Sequence, residues 1–386
     1  MKRLLWTVVA AATLLGFSAC NSKSGVEPDV QGTLAFRPFV NHNVRAADMD
    51  RDGLATDGFT VNAYGNNAEF FKDVNVKPES GVDGFWLTQG KTYYWPNYEL
   101  DFVAWANLGT YGTAAVTKDA QKINLTTPEA VADQVDVIAA RNSGTRAANE
   151  ASGVAMTFKH LLSQIEVKAM NTNTAYTVKV AGVKIGRVNS KATFTYPAKL
   201  DNNPIAKNSY TEHSVVNSFG AGSKEVVTLS GTATSIMNAG NGNFRLIPQA
   251  LTAWNQAEQL ADPAADNGGN YLGVLVNITN DQGAAIYPTT AGEYAFAAVP
   301  FSIADGLEAG KKYIITLDFS EGCGYEDPAL TEGKPTDLPT DVTINDTPVT
   351  PAKPGNPILG GPIKFKVTVE DYVDSEVSTP MVTPAP

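Results

Sequence analysis

Few residues in this 386-residue chain have the types and spacing that chemistry needs. The three histidines, His42, His160 and His213, are far apart and lack the short intervals of a metal-ligand set. His160 stands beside Phe158 and Leu161, which suits a hydrogen-bonded histidine at the edge of a core. There is no serine elbow, HExxH helix, phosphate-binding loop or dinucleotide fingerprint, and the glycines of 306–311 are wrongly spaced for a phosphate loop. Asp48, Asp50 and Asp52 followed by Gly53 have the spacing of a calcium loop, but its twelfth position is Phe59, where a bidentate carboxylate belongs. Arg51 also sets a positive charge among those ligands, so a solvated acidic loop is expected. Trp86, Tyr93, Tyr94, Trp95, Tyr98, Phe102 and Trp105 could stack on a sugar, although strand alternation turns several of them inward, where core packing is the simpler role. The expectation is a non-enzyme with no metal and no cofactor.

One residue does have a chemical setting. Lys2 and Arg3 precede an almost unbroken apolar run over 4–17, too short to span a bilayer comfortably and suited to the core of an export signal. Small residues follow, and the run ends Phe17-Ser18-Ala19-Cys20. This looks like a bacterial lipoprotein box. Small residues would fit the signal peptidase, and Cys20 would carry lipid on its sulfur and on its new amine. Two or more acyl chains anchor stably where one does not, so the mature chain is expected to be tethered. An ordinary secretory signal is the other reading. Only Cys323 then remains as a thiol, which rules out an intrachain disulfide. It sits in Glu321-Gly322-Cys323-Gly324-Tyr325, either as a small residue in a tight turn or as one half of an interchain bridge.

The elements that must position these residues are strands. A net charge of −11 argues against nucleic acid or an anionic membrane surface as partner. Aromatic residues, Thr, Val, Gly, Asn and Pro recur, and long helical periodicities are missing, so an all-β chain is expected. After the signal (1–19) and a polar spacer (20–31), residues 33–40 alternate, with Leu34, Phe36 and Val40 on one side and Ala35, Arg37 and Phe39 on the other. Pro38 argues for an edge position. A polar loop holding Arg45 and Arg51 follows, then strands at 59–64, 85–87, 93–96, 99–106 and 135–140. Residues 142–153, small and polar, are expected to link a first domain (32–150) to a second (151–386). In the second, strands are expected near 156–168, 176–185, 192–196, 225–229, 244–247, 271–278, 294–299 and 312–319. Residues 330–362, rich in Pro and Thr, read as an extended loop before a last alternating strand at 363–369 and a tail.

Several segments, in this order, resemble the fimbrillin-like lipoproteins of Bacteroidales, subunits of type V pili. They are the lipoprotein start, the first strand with arginines after it, Phe59-Thr60-Val61-Asn62-Ala63-Tyr64, and Tyr94-Trp95-Pro96 before Leu100-Asp101-Phe102-Val103-Ala104-Trp105. Asp136-Val137-Ile138-Ala139-Ala140, Phe158-Lys159-His160-Leu161-Leu162-Ser163-Gln164-Ile165, Leu246-Ile247-Pro248-Gln249 and Gly310-Lys311-Lys312-Tyr313 before Leu317-Asp318-Phe319 continue the likeness. The resemblance implies two tandem β-sandwich domains of transthyretin-like topology. It implies a lipidated precursor carried to the outer membrane and cut after an arginine by a trypsin-like protease. The first strand then leaves, and the C-terminal strand of another subunit takes its place in a surface fimbrium that serves adhesion to a host or bacterial receptor. Here the removable strand would carry Leu34, Phe36 and Val40. The cut would fall between Arg45 and Ala46, with Arg51–Asp52 as runner-up, and the donor would lie within 372–381. A tip or anchor subunit that keeps its first strand, or a surface glycan-binding lipoprotein, is the alternative.

Overall fold

The computed structural model describes residues 32–40, 49–81, 83–201, 203–237, 243–262, 268–349 and 353–371. Cys20, Arg45, Ala46, His42 and the tail 372–386 therefore lie outside the described residues. The chain is all-β, and among the described residues helix is confined to short segments.

The first strands are β1 (Ala35–Val40), β2 (Phe59–Gly65), β3 (Ala68–Pro78), β4 (Trp86–Thr88) and β5 (Leu100–Ala106). A hairpin of β6 (Gly112–Val116) and β7 (Gln121–Thr126) then leaves the group, and β8 (Ile138–Gly144) and β9 (Val154–His160) return to it. These strands, without the hairpin, close into a barrel in the order β1-β4-β3-β2-β5-β8-β9. Every ladder is antiparallel except the seam, where β1 runs parallel to β9. Helix α1 (Arg51–Asp57) buries Leu54 in the same core. It starts where Asp50 Oδ1 accepts from Gly53 N (2.7 Å) and stops at Gly58. There φ is +81° and a Cβ would lie 2.6 Å from the Val76 carbonyl, so both conformation and space demand glycine. Asp50 is thus a helix cap within the acidic loop.

Residues 142–153, expected to be a linker, are instead the end of β8 and the one-turn helix α2 (Arg146–Asn149). Thr145 caps that turn, and the segment joins two adjacent barrel staves. Small polar residues serve a tight connection as readily as a linker, and only pairing distinguishes the two.

The remaining strands are β10 (Ser163–Met170), β11 (Tyr176–Thr195), β12 (Tyr210–Thr228), β13 (Thr234–Ser235), β14 (Phe244–Leu246), β15 (Tyr271–Asn280), β16 (Ala285–Tyr287), β17 (Ala295–Pro300), β18 (Lys311–Asp318), β19 (Tyr325–Glu326) and β20 (Lys364–Asp371). One sheet runs β13-β10-β18-β20 with β14 on β10; the other runs β19-β17-β15-β11-β7-β6 with β12 on β11 and β16 on β15. Their facing sides bury Ile165, Val167, Val178, Val274, Ile315 and Leu317. Strand β11 was expected as two strands. It is one, because the break near Gly186 and Arg187 (φ +62°) is a bulge that shifts register against β12 between Ile185 and Val188. Its last residues pair with β7, so the hairpin from the first half extends the second sheet. A core of Val103, Trp105, Ile123, Leu125, Phe194 and Tyr210 fills the space between that extension and the barrel's outer face. Alternation along β5 therefore serves two cores, Phe102 and Ala104 pointing into the barrel, Val103 and Trp105 away from it.

Segment 330–349 lies against the outer face of the second sheet, on a floor of glycines. A Cβ on Gly220 would sit 2.2 Å from the Gly333 carbonyl, and one on Gly222 would sit 2.2 Å from that of Asp337. The Gly222 N–H also donates to Asp337 Oδ1 (2.7 Å). Gly220→Val should lift this segment, lowering stability by about 1–3 kcal/mol through overpacking. The expected readout is faster proteolytic nicking within 330–349.

Cys323 is fully buried, out of reach of a second chain, and its N–H donates to the Leu359 carbonyl (2.9 Å). Burial pushes its thiol up to about 11, so little thiolate exists at neutral pH. Iodoacetamide should leave the native thiol unmodified and label it fully once the chain is unfolded.

Candidate functional site

The first strand is a stave of the barrel. On one side Ala35 and Phe36 pair with Leu87 and Trp86 of β4; on the other, Phe36 to Val40 pair with Val154 to Phe158 of β9. Just before β1, Leu34 N donates to Tyr93 O and Trp95 N donates to Gly32 O, each at 2.8 Å. The β4 ladder ends at Phe36, so Pro38 sits where only one side of the strand is paired. The edge position expected from Pro38 is thus local: a proline without an N–H is tolerated where one ladder has already stopped.

The side chains follow the expected alternation. Leu34 and Phe36 are fully buried and Val40 nearly so, while Phe39 is 48% exposed. Phe36 meets Phe102 and Phe59 edge-on, with ring centroids 5.3 and 5.8 Å apart. On the outer side the Arg37 guanidinium lies 4.5 Å from the centre of the Phe85 ring, and its Nε donates to Ser152 O (2.8 Å). Strand β1 therefore combines two partial ladders, three deep apolar anchors and an outward cationic clamp.

The chain leaves β1 at Val40 and is next described at Met49. There it is held firmly. Met49 N–H donates to Asp136 Oδ2 (2.8 Å), and the same oxygen is 2.8 Å from His160 Nδ1. Asp136 and His160 are both buried. The Asp136 carbonyl accepts from Asn107 Nδ2 (2.9 Å), which fixes the backbone that carries the carboxylate. His160 is the hydrogen-bonded histidine expected from its neighbours. Asp136, which the sequence marked only as part of a strand, is the residue that was missed. It lies two residues before β8, and nothing in local alternation distinguishes it.

Arg51 lies in the first turn of α1, its Nη1 2.8 Å from Asp83 Oδ1. A helical, ion-paired arginine makes a poor substrate for a protease that needs an extended chain. His213 Nε2 is 2.8 Å from Pro248 O, so it and His160 serve separate places. Among the described residues no three His, Cys, Asp or Glu side chains gather as a metal would require, and no helix is long and apolar enough to cross a membrane. The aromatic cluster is divided. Trp86, Trp95 and Phe102 face the barrel core and Trp105 the second core, while Tyr94 is exposed.

Towards the other end, β20 is, among the described residues, an edge strand paired only with β18, from Lys364 opposite Asp318 to Asp371 opposite Lys311. It confirms the expected final strand. Phe365 and Val367 pack on the core, whereas Val369 is half exposed. The proposed donor, 372–381, begins directly after it and lies outside the described residues.

No curated protein matches the chain. Among solved structures it is similar to a fimbrial protein from Bacteroides vulgatus, at 13% identity over 88% of this chain and 99% of that one, with a TM-score of 0.49. It is also similar to a fimbrial assembly protein from Parabacteroides distasonis, at 11% identity over 75% and 92% of the two chains, with a TM-score of 0.34. Neither likeness is close enough to carry an assignment. The family model described as fimbrillin-like does, because it matches residues 45–346. Its match begins at Arg45, past β1, and takes in every other barrel strand and nearly all of the two-sheet half. The chain belongs to the fimbrillin-like family.

Proposed function

We propose that this chain is the precursor of a fimbrial subunit that assembles by strand exchange and serves adhesion at the cell surface. In this scheme Cys20 is lipidated and carries the precursor to the outer membrane. A trypsin-like protease cuts between Arg45 and Ala46, β1 leaves, and a strand from within residues 372–381 of another subunit fills the groove between β4 and β9. The observation that carries the proposal is the placing of β1. It closes the barrel through Leu34, Phe36 and Val40, yet its only covalent link to the rest of the barrel runs through residues 41–48.

Physical chemistry supplies the reason for such a plug. An empty groove would expose two strand edges and an apolar slot, both of which invite aggregation. Burying three such side chains is worth about 5–9 kcal/mol as an upper estimate, enough to retain a cut strand until a better one displaces it. A replacement that takes over the pairing of β1 runs parallel to β9 and offers apolar residues at the places of Leu34, Phe36 and Val40. The anchoring of Met49 by Asp136 keeps the new end from following β1 out.

The test is the N-terminus of the protein on intact cells. Ala46 as the first residue is the expected result. An acylated Cys20 on all surface material would overturn processing and point to a tip or anchor subunit that keeps its first strand, or to a surface glycan-binding lipoprotein.

A further inference from the structure

Beneath the 330–349 segment lies a lysine that the fimbrial role does not use. Lys184 of β11 and Asp327, one residue past β19, are both completely buried, with Nζ 2.5 Å from Asp327 Oδ2. An ordinary charged hydrogen bond of this type is about 2.7–2.9 Å long. This contact is shorter, and Oδ2 nevertheless has no partner of good hydrogen-bond geometry. Nζ instead donates to the carbonyls of Ala329 (2.8 Å) and Glu332 (3.0 Å). A neutral amine can make both of these N–H bonds and still keep its lone pair for the carboxyl group.

Two aromatic rings and two glycines shape the space around this side chain, with Glu332 and Lys334 near enough to act on its charge. The Phe296 ring centre is 4.3 Å from Nζ and that of Tyr271 5.6 Å. Opposite Lys184 on the two neighbouring strands stand glycines, Gly273 and Gly220. A Cβ on Gly273 would come within 2.9 Å of Lys184 Cγ and Cε, so the lysine lies flat across that gap. A dry site of low dielectric disfavours an ammonium–carboxylate pair relative to a neutral amine and acid. Burial lowers the pKa of Lys184, against the raising influence of Asp327.

We propose that Lys184 and Asp327 join in an intramolecular isopeptide bond. A proton passes from the Lys184 ammonium to the Asp327 carboxylate, giving amine and carboxylic acid. The amine nitrogen attacks Cγ; the C–N bond forms, the C–OH bond breaks, and the hydroxyl departs with an amine proton as water. The charges cancel, nothing is oxidised or reduced, and no external reagent is needed. Holding the two groups in contact lowers the barrier, since effective molarities of such oriented pairs reach about 10⁵–10⁸ M. The product ties the middle of β11 to the segment after β19, so a pull on the chain ends cannot extend the strands between them. That is a useful property in a fibre under tension.

The experiment is a tryptic digest of the fully denatured and reduced full-length chain, read by mass spectrometry. An amidated Lys184 resists trypsin. The expected result is a branched species in which 180–187 is joined to 313–364 and is lighter than the pair by one water. Cleavage after Lys184 should fall to undetectable levels, and Asp327→Ala should restore it. A synthetic peptide spanning 180–187 sets the reference for normal cleavage should that variant not accumulate. Full cleavage after Lys184 in the natural chain, with the linear 313–364 peptide recovered, would show an ordinary buried ion pair and overturn the proposal.

Discussion

A Phe36→Ala chain should lose about 3–5 kcal/mol of stability, the usual cost of emptying a buried phenylalanine site. Phe36 is fully enclosed, and its ring stands edge-on to Phe59 and Phe102 at the centre of the barrel core. Its backbone is also the one place where β1 pairs with β4 and β9 at once, so little freedom exists for the site to collapse. Urea unfolding followed by the fluorescence of Trp86 and Trp95 in the same core gives the measurement. Phe39→Ala is the internal comparison. Three residues on in the same strand, Phe39 is half in solvent, and its loss should change stability by no more than about 0.5 kcal/mol. Equal effects at the two positions would mean that β1 is not seated in the barrel. The same contrast bears on assembly. If β1 is cut free and exchanged, Phe36→Ala should speed its departure, whereas Phe39→Ala should not.

The second large effect is expected at Asp136. Replacing it by alanine strands two donors, the Met49 N–H and the ring N–H of His160, at about 1–3 kcal/mol each, for a total of about 2–6 kcal/mol. Asp136→Asn keeps an acceptor oxygen and should cost clearly less. Hydrogen exchange separates the local consequence from the global one. In the alanine variant the Met49 amide should exchange on the timescale of local opening, while amides in the β10–β18 ladder of the other half keep their relative protection. Retained protection at Met49 would show that the neighbouring packing, and not this carboxylate, secures the chain behind the 41–48 segment.

The strands of this fold were largely visible in the sequence because alternation is a local property. Leu34, Phe36 and Val40 against Arg37 and Phe39 already showed which face of β1 would be buried, and 99–106 already showed a strand. The misses have one physical origin. At 186–191 a bulge reads like a turn, at 142–153 a capped turn reads like a linker, and 112–126 alternates too weakly to stand out until it finds β11. Asp136, Lys184 and Asp327 were invisible as a group of important polar residues. Each is an ordinary charge in an ordinary strand or loop until burial removes water from it.

By itself, then, the sequence determined the all-β class, the buried face of the first strand and the family likeness, since these depend on neighbours two residues apart and on short motifs. Only the tertiary structure decided that β1 is the stave between β4 and β9, that the β6–β7 hairpin crosses to the second sheet, and that Lys184 meets Asp327 on a glycine floor. Those are pairings between segments far apart in the chain. They are selected by which edges and apolar faces remain open once the local strands exist, and no local pattern records that choice.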